Sequence, residues 1–220
     1  MKKQIIALAS IVMIGGAFMM TSCSKEDITA PVITISGGNS VTQNLPSTAG
    51  AGTWSNPTAT ATDDEDGDIS SSISVTGTVD PNTANTYTLT YTVSDAAGNT
   101  ATETLTVNIV NVADFLEGGY NGADTCQVSG TYTYNATVSA SNTVNGAITI
   151  NNFAAFGTGI NVAASATTTA ISMNAQPIGT TGNLLSGSGV ITSSTPQFHI
   201  TFTWTDGTTT ESCDSWYTHQ

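Results

Sequence analysis

The chain has 220 residues, of which 16 are Asp or Glu and only three are Lys or Arg, so its formal net charge at pH 7 is −13. Such a chain repels nucleic acid, because binding to phosphate depends on Lys and Arg, and it equally repels an anionic membrane surface. Thr, Ser, Asn, Gly and Ala dominate the remaining composition, which favours β-strands over helices.

The first 22 residues have the pattern of a secretory signal peptide. Lys2 and Lys3 give a positive start, and the apolar segment from Ile5 to Phe18 is too short and too interrupted by Gly for a transmembrane helix. We therefore leave residues 1–22 out of the fold. Their removal takes away two of the three basic residues and none of the 16 acidic ones. What remains is long enough for one large or two small domains.

The end of this segment, Met20-Thr21-Ser22-Cys23, resembles the lipobox of bacterial lipoproteins. The resemblance implies that Cys23 becomes the first mature residue and carries lipid, which anchors stably because each buried methylene contributes about 0.8 kcal/mol. The next residues, Ser24-Lys25-Glu26-Asp27, resemble the export signal of Bacteroidetes-type surface lipoproteins. They imply an outer-membrane lipoprotein facing the cell exterior, with residues 23–30 as a lipidated tether. An ordinary secreted protein with a chance Cys is the alternative.

Residues 31–111 are predicted to form a first domain of short alternating strands. In the clearest strand Thr88, Thr90 and Thr92 occupy one face, and the other face is apolar. The residues of the apolar face are Tyr87, Leu89, Tyr91 and Val93. Strands of this length, with turns every 8–12 residues, indicate an antiparallel sandwich. Disorder is the competing interpretation of a polar acidic chain, and this alternation argues against it beyond the tether.

Three stretches of the first domain resemble an Ig-like domain of unknown function, first delineated in a pesticidal crystal protein and similar in style to HYR repeats. They are Ala30 to Thr34, Ala61 to Ile69, and Tyr87 to Asn99. The resemblance covers about residues 28–110 and implies an Ig-like fold that usually serves as a spacer or adhesive module. No Cys lies in this part of the chain, so side-chain packing must hold the domain together.

An acidic loop, Asp63 to Asp68, follows the strand predicted at Thr58 to Thr62. Closely spaced carboxylates repel one another unless a cation or solvent separates them, and Ca²⁺ accepts six to eight oxygen ligands. The EF-hand spacing is absent, so a cadherin-like site between strands is the better analogy. The predicted calcium ligands are Asp63, Asp64, Asp66, Asp68 and Asp95, with Asn99 as a further contributor. A solvated acidic turn is the alternative, and no other cofactor is indicated.

Residues 112–220 are predicted to form a second domain of about eight strands without a convincing helix. Asn145-Gly146 and Asp206-Gly207 are typical of hairpin turns. The pattern predicts an up-and-down meander, as a closed barrel or as two packed sheets. Gly118-Gly119-Tyr120, Cys126 and the segment from Cys213 to Tyr217 carry a loose resemblance to the lipocalin-like C-terminal domains of Bacteroidetes-type lipoproteins encoded near glycan-uptake systems.

Cys126 and Cys213 are the only cysteines after Cys23. An even number of cysteines in an oxidising compartment predicts a disulfide. It would join the first and last strands of the second domain, as closure of a barrel requires. Free or metal-binding thiols are the alternative.

Catalytic motifs are absent from the sequence. His199 and His219 are the only imidazoles, no Gly-x-Ser-x-Gly motif or paired-His metal motif occurs, and the chain has no Arg. A non-enzyme is therefore predicted. Two carboxylates can hydrolyse glycosides, and convergence of such a pair stays open at this point. The residues concerned are Asp124, Asp206, Glu211 and Asp214.

Aromatic side chains are the remaining candidates for binding, because sugars stack on exposed Trp and Tyr. The candidates are Trp216, Tyr217 and Trp54, whereas Trp204 continues an apolar stripe and is predicted to lie in the core. Trp216 and Tyr217 point to opposite faces of an extended strand. The predicted function is a non-catalytic surface lipoprotein that binds extracellular glycan, with a TonB-linked uptake porin as partner and the first domain as spacer. An adhesive or structural surface protein without a small ligand is the alternative.

Overall fold

The computed structural model describes residues 26–156, 159–179, 183–192 and 197–220. The predicted signal peptide, Cys23 and Lys25 lie outside the described residues. The described chain is all-β and consists of an Ig-like N-terminal domain followed by an eight-stranded antiparallel barrel, with three short 3-10 turns. Within it, no helix is both long enough and apolar enough to cross a membrane.

The N-terminal domain contains two sheets built from seven described strands. These are β1 (Val32–Ile35), β2 (Ser40–Asn44), β3 (Ala59–Asp63), β4 (Gly67–Asp68), β5 (Ser74–Thr76), β6 (Asn85–Ser94) and β7 (Thr100–Val110). One sheet has the order β1-β3-β4 and the other β2-β7-β6-β5. β2 runs parallel to β7, and the other pairs are antiparallel.

The core of this domain follows the period of two that was predicted for β6. Leu89, Tyr91 and Val93 are each 1% exposed and pack with Leu105 and Val107 of β7. The Tyr91 hydroxyl donates a hydrogen bond to the carbonyl of Pro57 (3.0 Å), so its polar end is satisfied inside the core. Since no disulfide crosses the domain, burial of these side chains supplies most of its stability.

The C-terminal domain is a closed meander barrel, which settles the alternative between barrel and packed sheets. Its strands are β8 (Gly118–Cys126), β9 (Gly130–Ala140), β10 (Ala147–Asn151), β11 (Asn161–Ala166), β12 (Ala170–Ile178), β13 (Asn183–Thr192), β14 (Gln197–Thr205) and β15 (Thr210–His219). Each strand pairs with its neighbour in sequence, and β15 pairs with β8 to close the barrel. All these pairs are antiparallel.

Side chains fill the barrel, as is usual for eight strands. Tyr120, Phe153, Phe198, Phe202 and Tyr217 are each at most 1% exposed. Phe198 and Tyr217 stack with their ring centroids 4.4 Å apart, and Tyr120 meets Phe198 edge-on at 5.0 Å. The barrel is therefore a packed core, and binding surfaces have to be sought on its wall or at its ends.

Asn111 lies at the junction between the two domains and is only 3% exposed. Its side-chain amide donates to the carbonyls of Ser141, Val144 and Ala147 at 2.8, 3.1 and 3.2 Å. Its side-chain oxygen accepts from the backbone N–H of Gly146 (2.7 Å). One buried side chain thus holds the loop between β9 and β10 against the end of β7.

The same loop also bonds directly to the N-terminal domain. The backbone N–H of Asn145 donates to the carbonyl of Pro46 (2.9 Å), and the N–H of Ala84 donates to the carbonyl of Asn142 (2.8 Å). Backbone bonds of this kind, together with Asn111, fix the barrel to the Ig-like domain at one end.

Candidate functional site

The outer face of β14, β15, β8 and β9 carries the most exposed aromatic side chain of the barrel. Strand register places His199, Trp216, Ala123 and Thr133 side by side across these four strands. Trp216 is 56% exposed. Because side chains alternate across a strand, the residues two positions away on each strand share this outer face.

One stacked neighbour, itself held by a carboxylate, holds the indole of Trp216 in place. The imidazole of His199 stacks on it with ring centroids 4.3 Å apart and an interplanar angle of 20°. His199 Nε2 lies 3.1 Å from Asp214 Oδ1, which also accepts from the hydroxyl of Thr201 (2.9 Å). The chain Thr201–Asp214–His199–Trp216 fixes one face of the indole and leaves the other for solvent.

An open cleft of about 500 Å³ lies beside the indole. It is lined by small side chains, including Ala123 and Thr133, and by the side chains of Asn121 and Asn135. Both amide oxygens accept from the side-chain amide of Gln220, at 3.3 and 3.2 Å. The cleft therefore combines one exposed aromatic ring with uncharged donors and acceptors.

Tyr217, the second aromatic candidate, points into the barrel and is 1% exposed. Its hydroxyl lies 2.8 Å from that of Tyr134, which donates to Asp124 Oδ1 (2.6 Å). Ser215 also donates to Asp124. Burial raises the pKa of Asp124, and the bonds from Ser215 and Tyr134 partly offset this effect. Tyr217 is thus part of a buried polar network and does not face a ligand in solvent.

Trp54, the third candidate, belongs to the N-terminal domain. It is partly buried against that domain's core, and its Nε1 donates to Asn56 Oδ1 (2.7 Å). Trp204 is half-buried in the barrel and contacts Phe156 edge-on at 5.9 Å. Of the three predicted aromatic candidates, Trp216 is therefore the one that lies on an open face of the barrel.

The four carboxylates considered for glycoside hydrolysis occupy separate surroundings. Asp124 lies inside the barrel wall and Asp214 outside it. Asp206 accepts from backbone N–H groups of its own turn. Glu211 is 4% exposed and accepts from Ser129 and Val128, and the Ser129 bonds lower its pKa despite burial. Each carboxylate has a local structural role in this arrangement.

Three of the predicted calcium ligands in and near the acidic loop, Asp66, Asp68 and Asp95, accept hydrogen bonds within the domain. Asp66 Oδ2 accepts from the N–H of Ala96 (2.6 Å), and Asp68 accepts from Ser70, which lowers the pKa of Asp68. Asp95 is 8% exposed; burial alone would raise its pKa, but bonds from Asn99 and the following backbone lower it overall. These hydrogen bonds fix the positions of the three carboxylates within the domain.

Asp63 and Asp64, the other two predicted ligands, lie together with Asp27. Oxygen atoms of the three carboxylates are within 4.8 Å of one another. Sequence reasoning missed Asp27 because it precedes β1 in the predicted tether. The sequence feature that could have identified Asp27 as a candidate ligand was its place in an acidic pair, Glu26-Asp27, just ahead of the first strand.

The predicted disulfide is present and joins Cys126 of β8 to Cys213 of β15 (S–S 2.03 Å). The two residues are direct partners in the closing ladder. With Tyr132, Phe156 and Trp204 they line a cavity of about 280 Å³ at the end of the barrel away from the Ig-like domain.

Fold and surface together define a two-domain, all-β protein with an Ig-like module and a barrel that carries an aromatic cleft. Residues 33–109 match the family model for the Ig-like domain of bacterial surface proteins. The match covers the N-terminal domain, which thus resembles the Ig-like domains of bacterial surface proteins. No curated protein sequence matches the chain.

Two solved structures resemble the fold distantly. One is the lipoprotein BT2262 from Bacteroides thetaiotaomicron, at 16% identity and a TM-score of 0.38, covering 86% of this chain and 100% of the other. The second is CBM51-2 in complex with GlcNAc and INT domains from Clostridium perfringens ZmpB, at 14% identity and a TM-score of 0.27, covering 86% and 44%. At these scores neither likeness bears on function.

Proposed function

We propose that this protein is a non-catalytic surface lipoprotein that binds a neutral extracellular glycan on the outer barrel face around Trp216. The observation that carries the proposal is an exposed indole, 56% accessible, held by a stacked His199 beside an open cleft. A fixed aromatic ring loses little conformational freedom on binding, which favours affinity.

The chemistry of the cleft suits a sugar ring. The C–H face of a pyranose packs on an indole and removes apolar area from water, at about 25 cal/mol per Å². Asn121, Asn135 and Thr133 then offer donors and acceptors to hydroxyl groups. Residues 26–220 contain no Lys or Arg, so an anionic polysaccharide would find no countercharge. This favours a neutral glycan.

The domain order supports a surface role. The Ig-like domain would act as a spacer between the membrane and the barrel. Lipid on Cys23, an outer-membrane location facing outward and a TonB-linked uptake porin as partner complete the proposal. They rest on the sequence pattern around Cys23 and on the surface-protein Ig-like domain.

The test is a screen of neutral glycans, followed by calorimetric titration of the best binder. Trp216→Ala should weaken binding at least tenfold, about 1.4 kcal/mol. Tyr132→Ala is the matched control, because Tyr132 is also an exposed aromatic (43%) but lies at the barrel end. Loss of binding in the Tyr132 variant with retention in the Trp216 variant would move the site to the barrel end. Absence of any bound glycan would favour the adhesive or structural alternative.

A further inference from the structure

Three carboxylates from two segments meet at one edge of the Ig-like domain. Asp63 ends β3, Asp64 follows it, and Asp27 comes from the segment before β1. Oxygen atoms of all three lie within 4.8 Å of one another. At this separation their negative charges repel strongly, and residues 26–220 offer no Lys or Arg to compensate.

One oxygen of this group has no partner. Asp63 Oδ2 accepts from the N–H groups of Glu65 and Asp66, at 2.9 and 3.1 Å, which fixes the carboxylate. Asp63 Oδ1 is fully buried and accepts no hydrogen bond. A buried charged oxygen without a partner is costly, and such an atom in a native protein calls for a bound water or ion.

The two segments are held in place independently of any ion. The side chain of Asn99 donates to the carbonyl of Asp27 (3.2 Å) and to Asp95 (2.8 Å). The N–H of Thr29 donates to Asp27 Oδ1 (2.9 Å). The turn between β6 and β7 thus positions Asp27, and its Ala96 N–H positions the acidic loop through Asp66.

We propose that Asp27, Asp63 and Asp64 bind one calcium ion, with water completing its coordination. Ca²⁺ takes six to eight oxygen ligands in a flexible arrangement, which suits three carboxylates and water, whereas Mg²⁺ demands near-ideal octahedral geometry and usually binds through only one or two carboxylates. Zinc prefers nitrogen and sulfur donors, and the group has neither. The ligand set differs from the predicted one, since Asp66, Asp68 and Asp95 act as supports.

The position of Asp27 gives the ion a structural consequence. Asp27 lies four residues after Cys23 in the sequence and immediately before β1. A calcium ion shared with Asp63 and Asp64 therefore ties the N-terminal segment to the body of the Ig-like domain. Calcium would add a second connection there to the hydrogen bond that the Asn99 side chain already makes to the Asp27 carbonyl.

The proposal is tested by titrating calcium chloride into the chelator-treated full chain by calorimetry, with thermal melting in parallel. We expect one calcium per chain and a higher melting temperature through preferential binding to the folded state. Asp63→Asn and Asp27→Asn should each lose at least about tenfold in affinity, a loss of about 1.4 kcal/mol. Asp27→Asn keeps the proposal testable if Asp63→Asn does not fold. Glu65→Gln, which removes one charge from the same loop, should bind like the wild type.

Several results would overturn the proposal. These are the absence of saturable calcium binding to the wild type, unchanged affinity in Asp27→Asn, and a loss in Glu65→Gln as large as in Asp27→Asn. Equal affinity for magnesium chloride would overturn the assignment of calcium.

Discussion

Removal of the disulfide should destabilise the barrel strongly. Cys126 and Cys213 are separated by 87 residues in sequence. In the loop-entropy relation, closing a loop of that length in the unfolded chain stabilises the folded state by about 4.6 kcal/mol at 25 °C. With a urea slope of about 1.5 kcal/mol per M, the unfolding midpoint of the Cys126→Ala/Cys213→Ala variant should fall by about 3 M.

Tryptophan fluorescence can follow each domain when the tryptophans of the other domain are replaced by Phe. Trp54 reports the Ig-like domain, and Trp204 and Trp216 report the barrel. The urea transition seen by Trp204 and Trp216 should shift, whereas the domain around Trp54 contains no cysteine and should keep its intrinsic stability. If the variant and the wild-type barrel unfold at the same urea concentration, the unfolded chain is not restrained as assumed and the reasoning is refuted.

Two further substitutions test the joint between the domains and the turn at 127–129, which Glu211 holds. Asn111→Ala leaves several buried backbone groups at the joint without partners and should cost about 3 kcal/mol; faster hydrogen exchange at Gly146 would show it, and unchanged exchange would contradict it. Glu211→Gln should cost about 2 kcal/mol at pH 7, because the N–H and O–H groups of Val128 and Ser129 would then bond a neutral amide oxygen instead of a charged carboxylate. Since the pKa of Glu211 is lowered in the folded state, its contribution is present above the ordinary Glu pKa of about 4.3 and lost as the pH falls through the lowered value. A difference between wild type and Glu211→Gln that stays constant from pH 7 to below 4 would contradict this explanation.

The sequence pattern alone was sufficient to predict a strand and its buried face where apolar and polar residues alternate over several positions. β6 shows this most clearly, because Leu89, Tyr91 and Val93 alternate with Thr and are buried as expected. The disulfide was also predictable, since only Cys126 and Cys213 remain after Cys23. In contrast, β2 (Ser40–Asn44) was not expected, because Val41 is its single apolar residue and the strand forms by parallel pairing with the distant β7.

The candidate site depended on register between strands far apart in sequence. Exposure of Trp216 follows from alternation with Tyr217, but the stacking of His199 and the small size of Ala123 beside it depend on how β14, β15 and β8 align. Likewise, Asp27 meets Asp63 only because the β6–β7 turn holds the N-terminal segment. Such long-range contacts leave no local periodicity for sequence reasoning to detect.

The two ends of the barrel differ in how freely their loops can change, because only one end is bonded to the Ig-like domain in the part of the chain that the structure describes. The loop at 141–146 is committed to the joint through Asn111 and Pro46. The turns at 127–129 and 206–209 lie at the opposite end, because β8 and β14 both run away from the joint. An insertion in the exposed turn at 206–209 would lengthen that end of the barrel without disturbing the joint, since exposed turns tolerate added residues, whereas the turn at 127–129 is held by Glu211. The far end of the barrel can therefore vary in sequence and length while the joint between the two domains stays unchanged.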